Sequence, residues 1–108
     1  MAAPATNIID GGDGNDRIGG GTGDNTLTGG GGKDTFVFGP SFGVNTVTDF
    51  GGSDQIGFDG GVFANFAAVQ AAMTQVGADT VISLGAGHTI TLEHVTASSL
   101  SAGDFLFM

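Results

Sequence analysis

Apolar residues follow two rhythms along this chain. From Gly11 to Val37 one large apolar residue returns every nine positions, as Ile18, Leu27 and Phe36, each preceded by a glycine-rich run. Cut in that register, the stretch reads GGDGNDRIG, GGTGDNTLT, GGGGKDTFV. Most of each block suits a turn, because glycine tolerates the positive φ of tight bends; the remainder, such as Arg17-Ile18-Gly19 or Thr26-Leu27-Thr28, suits a short strand. Turn and strand in alternation predict a flattened parallel coil in which two blocks, about 18 residues, make one circuit. That lays Gly11–Asp16 directly beneath Gly29–Asp34.

Past the repeat the spacing becomes irregular. Thr35-Phe-Val-Phe38 predicts a longer strand, and Gly39-Pro40 then breaks the nine-residue beat. Asn45–Phe50 alternates polar and apolar and predicts a strand, and Asp54-Gln-Ile-Gly-Phe58 another after the Gly51-Gly52-Ser53 turn. Val62, Phe63, Phe66, Val69, Met73 and Val76 recur at three- and four-residue steps, which predicts a helix over Val62–Val76, started by Asp59 or Gly60 and stopped by Gly77. Thr80–Leu84 and Thr89–Glu93 predict a hairpin around Gly85-Ala-Gly-His88, Ser98–Ser101 a helical turn, and Asp104–Met108 a last strand. The coil is expected over 7–58. An uncapped coil end would expose apolar side chains and unpaired strand edges, so residues 59–108 are expected to cap it.

The turns carry the candidate chemistry. A bend made mostly of glycine offers backbone carbonyl oxygens, and the sixth place of each block adds Asp16, Asn25 or Asp34. Stacking two such bends brings carbonyl dipoles and carboxylates together, which is repulsive unless a cation lies between them. An all-oxygen cage without His or Cys favours calcium. In the middle block Asp24 precedes Asn25, so the usual order is exchanged and the sixth place is uncharged.

Composition agrees. Twenty percent would be an extreme glycine share, and this chain has Gly 22 in 108 residues, with Phe supplying all nine aromatics. Eleven acids against Lys33 and Arg17 give a net charge of −9, and most of the acids precede residue 60, where the cages are expected. Nucleic acid and anionic lipid both need a basic face, which this chain lacks. There is no cysteine for a disulfide or thiolate site. Met1–Asp10 has neither the basic start nor the apolar run of a cleavable leader, and no stretch is long enough to span a bilayer. The repeat is expected to continue upstream in a larger parent. His88 and His94 are the only histidines, in no metal- or triad-like pattern, so no catalytic residue is expected and the chain is not read as an enzyme.

The three blocks resemble the repeats of the RTX (repeats-in-toxin) family of secreted bacterial proteins, and the chain as a whole resembles a serralysin-like C-terminal domain. The resemblance implies a mainly β fold, a parallel β-roll or right-handed β-solenoid, closed by a cap with one helix and a hairpin. It implies a first Ca²⁺ cage from Gly12, Gly14 and Asp16 with Gly29, Gly31 and Asp34. A second cage is implied from Gly30, Gly32 and Asp34 with Asn45, Asp49 and Asp54, for which simple turn acids are the alternative. A weak third is implied from Asn7, Gly20, Thr22 and Asn25. By the same resemblance the module folds on Ca²⁺ binding after type I secretion, serves an upstream domain, and is extracellular. Asp104-Phe-Leu-Phe-Met108 looks like an uncleaved C-terminal secretion signal, or is simply the last strand of the cap. Two further readings stay open: a Ca²⁺-dependent polysaccharide or surface-attachment module, and self-association at the roll edge near Ile8.

Overall fold

Successive strands of the first half are dealt alternately to two sheets. In the computed structural model, which describes residues 7–19, 24–39, 43–51, 54–61, 63–83 and 88–107, β1 (Asn7–Asp10), β3 (Asn25–Thr28) and β5 (Val44–Val47) lie parallel in one sheet. The strands between them, β2 (Arg17–Gly19), β4 (Thr35–Phe38) and β6 (Gln55–Phe58), lie parallel in the other. The cause is a large inward-facing apolar residue in each of β2 to β6, joined in β4 and β6 by a second, Phe38 and Phe58, all of which must leave water. Ile18, Phe36 and Ile56 fall in register in one sheet, Leu27 and Val47 in the other, and all five are buried. At about 1.5–3 kcal/mol for each such side chain, this inner ladder is the main force holding the sheets together.

The circuit begins at 18 residues, with Asn7 beside Asn25 and Arg17 beside Thr35, and then lengthens to 20, with Asn25 beside Asn45 and Thr35 beside Gln55. The longer step arises between β4 and β5, where Gly39-Pro40 breaks the beat. The bends from β3 to β4 and from β5 to β6 keep the same length.

The second half extends both sheets. Strands β8 (Asp79–Ser83) and β9 (Thr89–Leu92) form the expected antiparallel hairpin, and β9 lies parallel beside β5. The last strand, β10 (Phe105–Phe107), lies parallel beside β6. Leu92 and Phe105 thereby continue the two buried ladders. The Phe105 ring stacks on Phe58, centroids 6.2 Å apart, and Phe63 meets Phe58 edge-on at 4.8 Å. Short 3-10 turns at Ala97–Ser99 and Ala102–Asp104 fill the connection from β9 to β10.

The helix is much shorter than its periodicity predicts. It spans only Phe66–Ala71 (α1), and its start is set by Asn65, whose Oδ1 accepts the Ala68 N–H at 3.0 Å. Met73–Val76, expected in the same helix, is instead β7, antiparallel to β8. Thr74 and Val76 are β-branched, and pairing with β8 satisfies backbone that the end of a short helix would leave open. Met73 and Val76 are three residues apart, a helical step that puts them on opposite faces of a strand, so the apolar spacing alone favours the helix and the pairing with β8 overrides it. Val62 and Leu84 lie outside the described residues. Among the described residues no helix is long and apolar enough to cross a membrane.

Candidate metal centre

Three bends lie one above another along one edge of the molecule: 11–16 between β1 and β2, 29–34 between β3 and β4, and 48–54 between β5 and β6. Backbone and carboxylate hydrogen bonds tie them together. Asp16 N–H donates to Asp34 Oδ1 at 3.0 Å, and Asp34 N–H donates to Asp54 Oδ1 at 3.0 Å. The carbonyls of Asp16 and Asp34 accept from Thr35 and Gln55 N–H. Lys33 N–H donates to Asn15 Oδ1 at 2.8 Å. Asp16, Asp34 and Asp54 thus form a column with one carboxylate per layer, the upper two buried.

The bends approach so closely that side chains are excluded between them. Gly12 and Gly30 both have positive φ, +76° and +81°, and a Cβ on Gly30 would overlap the Gly12 carbonyl oxygen. Gly32 stands over the Gly14 carbonyl oxygen in the same way. A Cβ on Gly11 would fall 2.8 Å from Asp16 Oδ2 and 3.0 Å from the Gly29 carbonyl oxygen, so these two oxygens converge over the first bend. Gly31 lies above Asp13 on the exposed side.

The column is electrostatically incomplete. Asp16 Oδ2 and Asp34 Oδ2 are buried with no hydrogen-bond partner. Leaving a carboxylate oxygen in that state is costly. Burial pushes the Asp16 carboxyl above the usual carboxylate range, reinforced by the charge of Asp34. Burial also raises Asp54, opposed by hydrogen bonds from the Asp34 and Gly51 backbones. Among the described residues no three His, Cys, Asp or Glu side chains converge as a metal cluster, so a cation here must draw on backbone carbonyls as well. The donor set fits that requirement: two orphaned carboxylate oxygens, the Gly29 carbonyl oxygen converging with Asp16 Oδ2, further glycine carbonyls in the same bends, and no nitrogen or sulfur, as a hard cation prefers.

All six residues expected in the first cage, Gly12, Gly14, Asp16, Gly29, Gly31 and Asp34, lie in the two lower bends. Of the second set, Gly30, Gly32, Asp34, Asp49 and Asp54 share the edge, but Asn45 does not. It sits at the start of β5, at the opposite end of that strand, where its Oδ1 accepts from Asn25 Nδ2 at 3.2 Å. Asp49 accepts the N–H groups of Gly29 and Gly30, each at 2.9 Å, and so is already engaged. Of the weak third set, Gly20, Thr22 and the Asn7 side chain lie outside the described residues. Asn25 is buried against Asn45.

Sequence reasoning missed that the third bend is a disguised copy of the second. Register aligns Thr28-Gly-Gly-Gly-Gly-Lys-Asp34 with Thr48-Asp-Phe-Gly-Gly-Ser-Asp54, so Asp54 stands where Asp34 stands and Asp49 replaces Gly29. The signal was the Thr before and the Asp after a bend of constant length, hidden by the longer β4-to-β5 step.

No protein-family model and no curated protein matches this sequence. Among solved structures, the fold is similar to part of the extracellular lipase LipA from Serratia marcescens, with a TM-score of 0.73 and 23% sequence identity over 100% of this chain and 20% of that chain. This chain spans about one fifth of the length of that lipase chain. The likeness shows that this chain shares its mainly β fold with part of that extracellular lipase.

Proposed function

We propose that this chain is a calcium-binding β-roll module of RTX type, a right-handed solenoid that folds on binding Ca²⁺ and acts as the secretion, folding and stability unit of a larger exported protein. One observation carries the reading: glycine bends stacked so closely that Gly30 and Gly32 leave no room for a Cβ over the layer beneath, with the buried Oδ2 atoms of Asp16 and Asp34 left unpartnered. Asp16 and Asp34 with the carbonyls of Gly12, Gly14, Gly29 and Gly31 would hold the first ion. Gly30, Gly32 and Asp54, with Asp49 beside them, would serve a second. The ion supplies positive charge and oxygen-rich cross-linking where the apo column has only repulsion.

Extracellular calcium modules bind at about 10⁻⁴–10⁻³ M. A chain of this kind stays loose in calcium-poor cytosol and folds outside, because binding free energy is folding free energy. Folding on emergence opposes return through an export channel and gives an upstream domain a template. The fold shared with an extracellular lipase supports an exported parent. No residue of this chain is assigned a catalytic role.

The test is circular dichroism and thermal melting of the chain in chelator and in millimolar Ca²⁺. The reading expects a weak transition at low temperature in chelator and a sharp cooperative one at much higher temperature with calcium, and a melting curve identical in the two overturns it.

A further inference from the structure

The connection from β9 to β10, residues 93–104, runs from the first sheet to the second just as the three acidic bends do, one layer beyond bend 48–54. It does not close down on the layer beneath. Between the two lies a cavity of about 400 Å³, floored by Phe50 and Gly51 of the third bend. Val95 and Leu100 continue the apolar wall; His94, Thr96, Ser99 and Asp104 supply polar atoms.

Size separates this cavity from the column below it. Small-molecule sites occupy roughly 300–1,000 Å³, and a single ion in a carbonyl cage needs far less. Charge narrows the occupant further: no Lys or Arg lines the cavity, Asp104 does, and the chain carries −9 overall, so an anion is disfavoured. The remaining chemistry is an apolar floor and wall with His94, Thr96, Ser99 and Asp104 around it, of which Ser99 Oγ donates to the Thr96 carbonyl and Asp104 Oδ2 accepts from Ser101. That combination suits a ligand with one C–H-rich face and several hydroxyl groups.

The backbone here is held in a costly conformation. His94 has φ +58°, a left-handed conformation that bears roughly 1–2 kcal/mol of strain for a residue with a Cβ. Its N–H donates to Asp79 Oδ1 at 2.9 Å. The next residue is fixed as well: the Val95 carbonyl accepts from Thr80 Oγ1 at 2.7 Å and from Gln75 Nε2 at 3.3 Å, and Gln75 Oε1 accepts the Ala97 N–H at 2.7 Å. Strands β7 and β8 thus fix the backbone at and beside a strained residue that lines the cavity, as strained residues are held at ligand sites.

We infer that this cavity binds one neutral, polyhydroxylated ring, a hexose unit either free or at the end of a glycan chain. The inference uses the fold but not the cation reading, so it is tested at saturating calcium, where the chain's own melting curve reports folding separately. Saturation-transfer NMR on the full chain, with glucose, galactose, mannose, N-acetylglucosamine and, as an acidic control, glucuronate, is expected to show transfer to the ring C–H protons of a neutral sugar and none to glucuronate. Thr96→Val removes one hydroxyl at nearly constant shape, and His94→Gly removes the imidazole while relieving the strained φ. Each is expected to weaken binding by about tenfold, with the melting temperature held in the first and held or raised in the second. A linear oligomer of the same sugar identifies the source, tighter binding assigning the chain end and equal binding the free sugar. Absence of transfer from every neutral sugar, equal transfer to glucuronate, or unchanged affinity in both variants overturns the inference.

Discussion

Asp16 gives its backbone N–H to Asp34 Oδ1 at 3.0 Å across 18 residues of chain, while the second oxygen of each carboxylate stays buried without a partner. The same side chain therefore fastens one layer to the next and loads the seam with charge. Asp34→Asn separates the two effects, since the amide retains Oδ1 as an acceptor and removes the charge. In chelator the variant is expected to be at least as stable as the parent. In calcium it is expected to lose about 1–3 kcal/mol of the ion's stabilisation, or about ten- to hundredfold in affinity. Paired thermal melts with and without Ca²⁺ measure this, and an undiminished calcium shift would remove Asp34 from the site.

Stacking can be separated from backbone strain with a pair of alanines. Gly12 and Gly30 share nearly the same positive φ, so alanine is strained at both by about 1 kcal/mol or more. Only at Gly30 would the added Cβ strike another layer, at the Gly12 carbonyl oxygen; at Gly12 nothing lies within 4 Å. Gly30→Ala is expected to cost clearly more stability than Gly12→Ala and to blunt the calcium response as well. Equal losses in urea unfolding would mean that the bends do not pack as closely as described.

The raised carboxyls of Asp16 and Asp54 set the pH dependence of the calcium-free chain. Burial is the leading cause in both, with Asp34 charge adding to it at Asp16 and backbone hydrogen bonds opposing it at Asp54. A folded-state value above the unfolded one means that the native chain binds protons more readily. The stability these groups contribute is fully present below the ordinary carboxylate value of about 3.9 and is lost as pH rises through the raised native values. In chelator, urea midpoints are therefore expected to fall as pH rises from the ordinary carboxylate value through the raised native ones. With calcium the slope is expected to reverse, because ligating carboxylates must be ionised. A calcium-free chain that gains stability over that interval would contradict the burial of the column.

Much of this was legible in the residues because one physical constraint, a large inward-facing apolar side chain returning in each short strand of the repeat, governs both pattern and packing. Ile18, Leu27 and Phe36 announce the two sheets, and the glycines ahead of them announce the stacked bends. The helix was overextended because Met73 and Val76, three residues apart, satisfy a helical step, and only the pairing of Met73–Val76 with β8 overrides it. The hairpin was visible, but its docking beside β5 was not, since nothing local in Thr89–Leu92 names a partner more than forty residues away. Asn45 was assigned to the second cage by resemblance to the repeat pattern alone, which does not register that it begins the strand whose far end leads into the acidic bend.

That last displacement can be measured. Asn45 is fully buried on the edge opposite the aspartate column, where its amide nitrogen donates to the Gly43 carbonyl at 3.3 Å and its oxygen accepts from Asn25 Nδ2 at 3.2 Å. Asn45→Ala breaks both bonds and leaves buried polar groups less satisfied, at a cost of about 1–3 kcal/mol. Because β5 separates Asn45 from bend 48–54, the loss is expected to be equal in chelator and in calcium wherever both states can be melted, leaving the calcium increment intact. Asp34→Asn is expected to show the opposite pattern, with little loss in chelator and a shrunken increment. If the Asn45 variant instead binds calcium as poorly as the Asp34 variant, its side chain reaches the ion, and the opposite-edge placement of Asn45 is wrong.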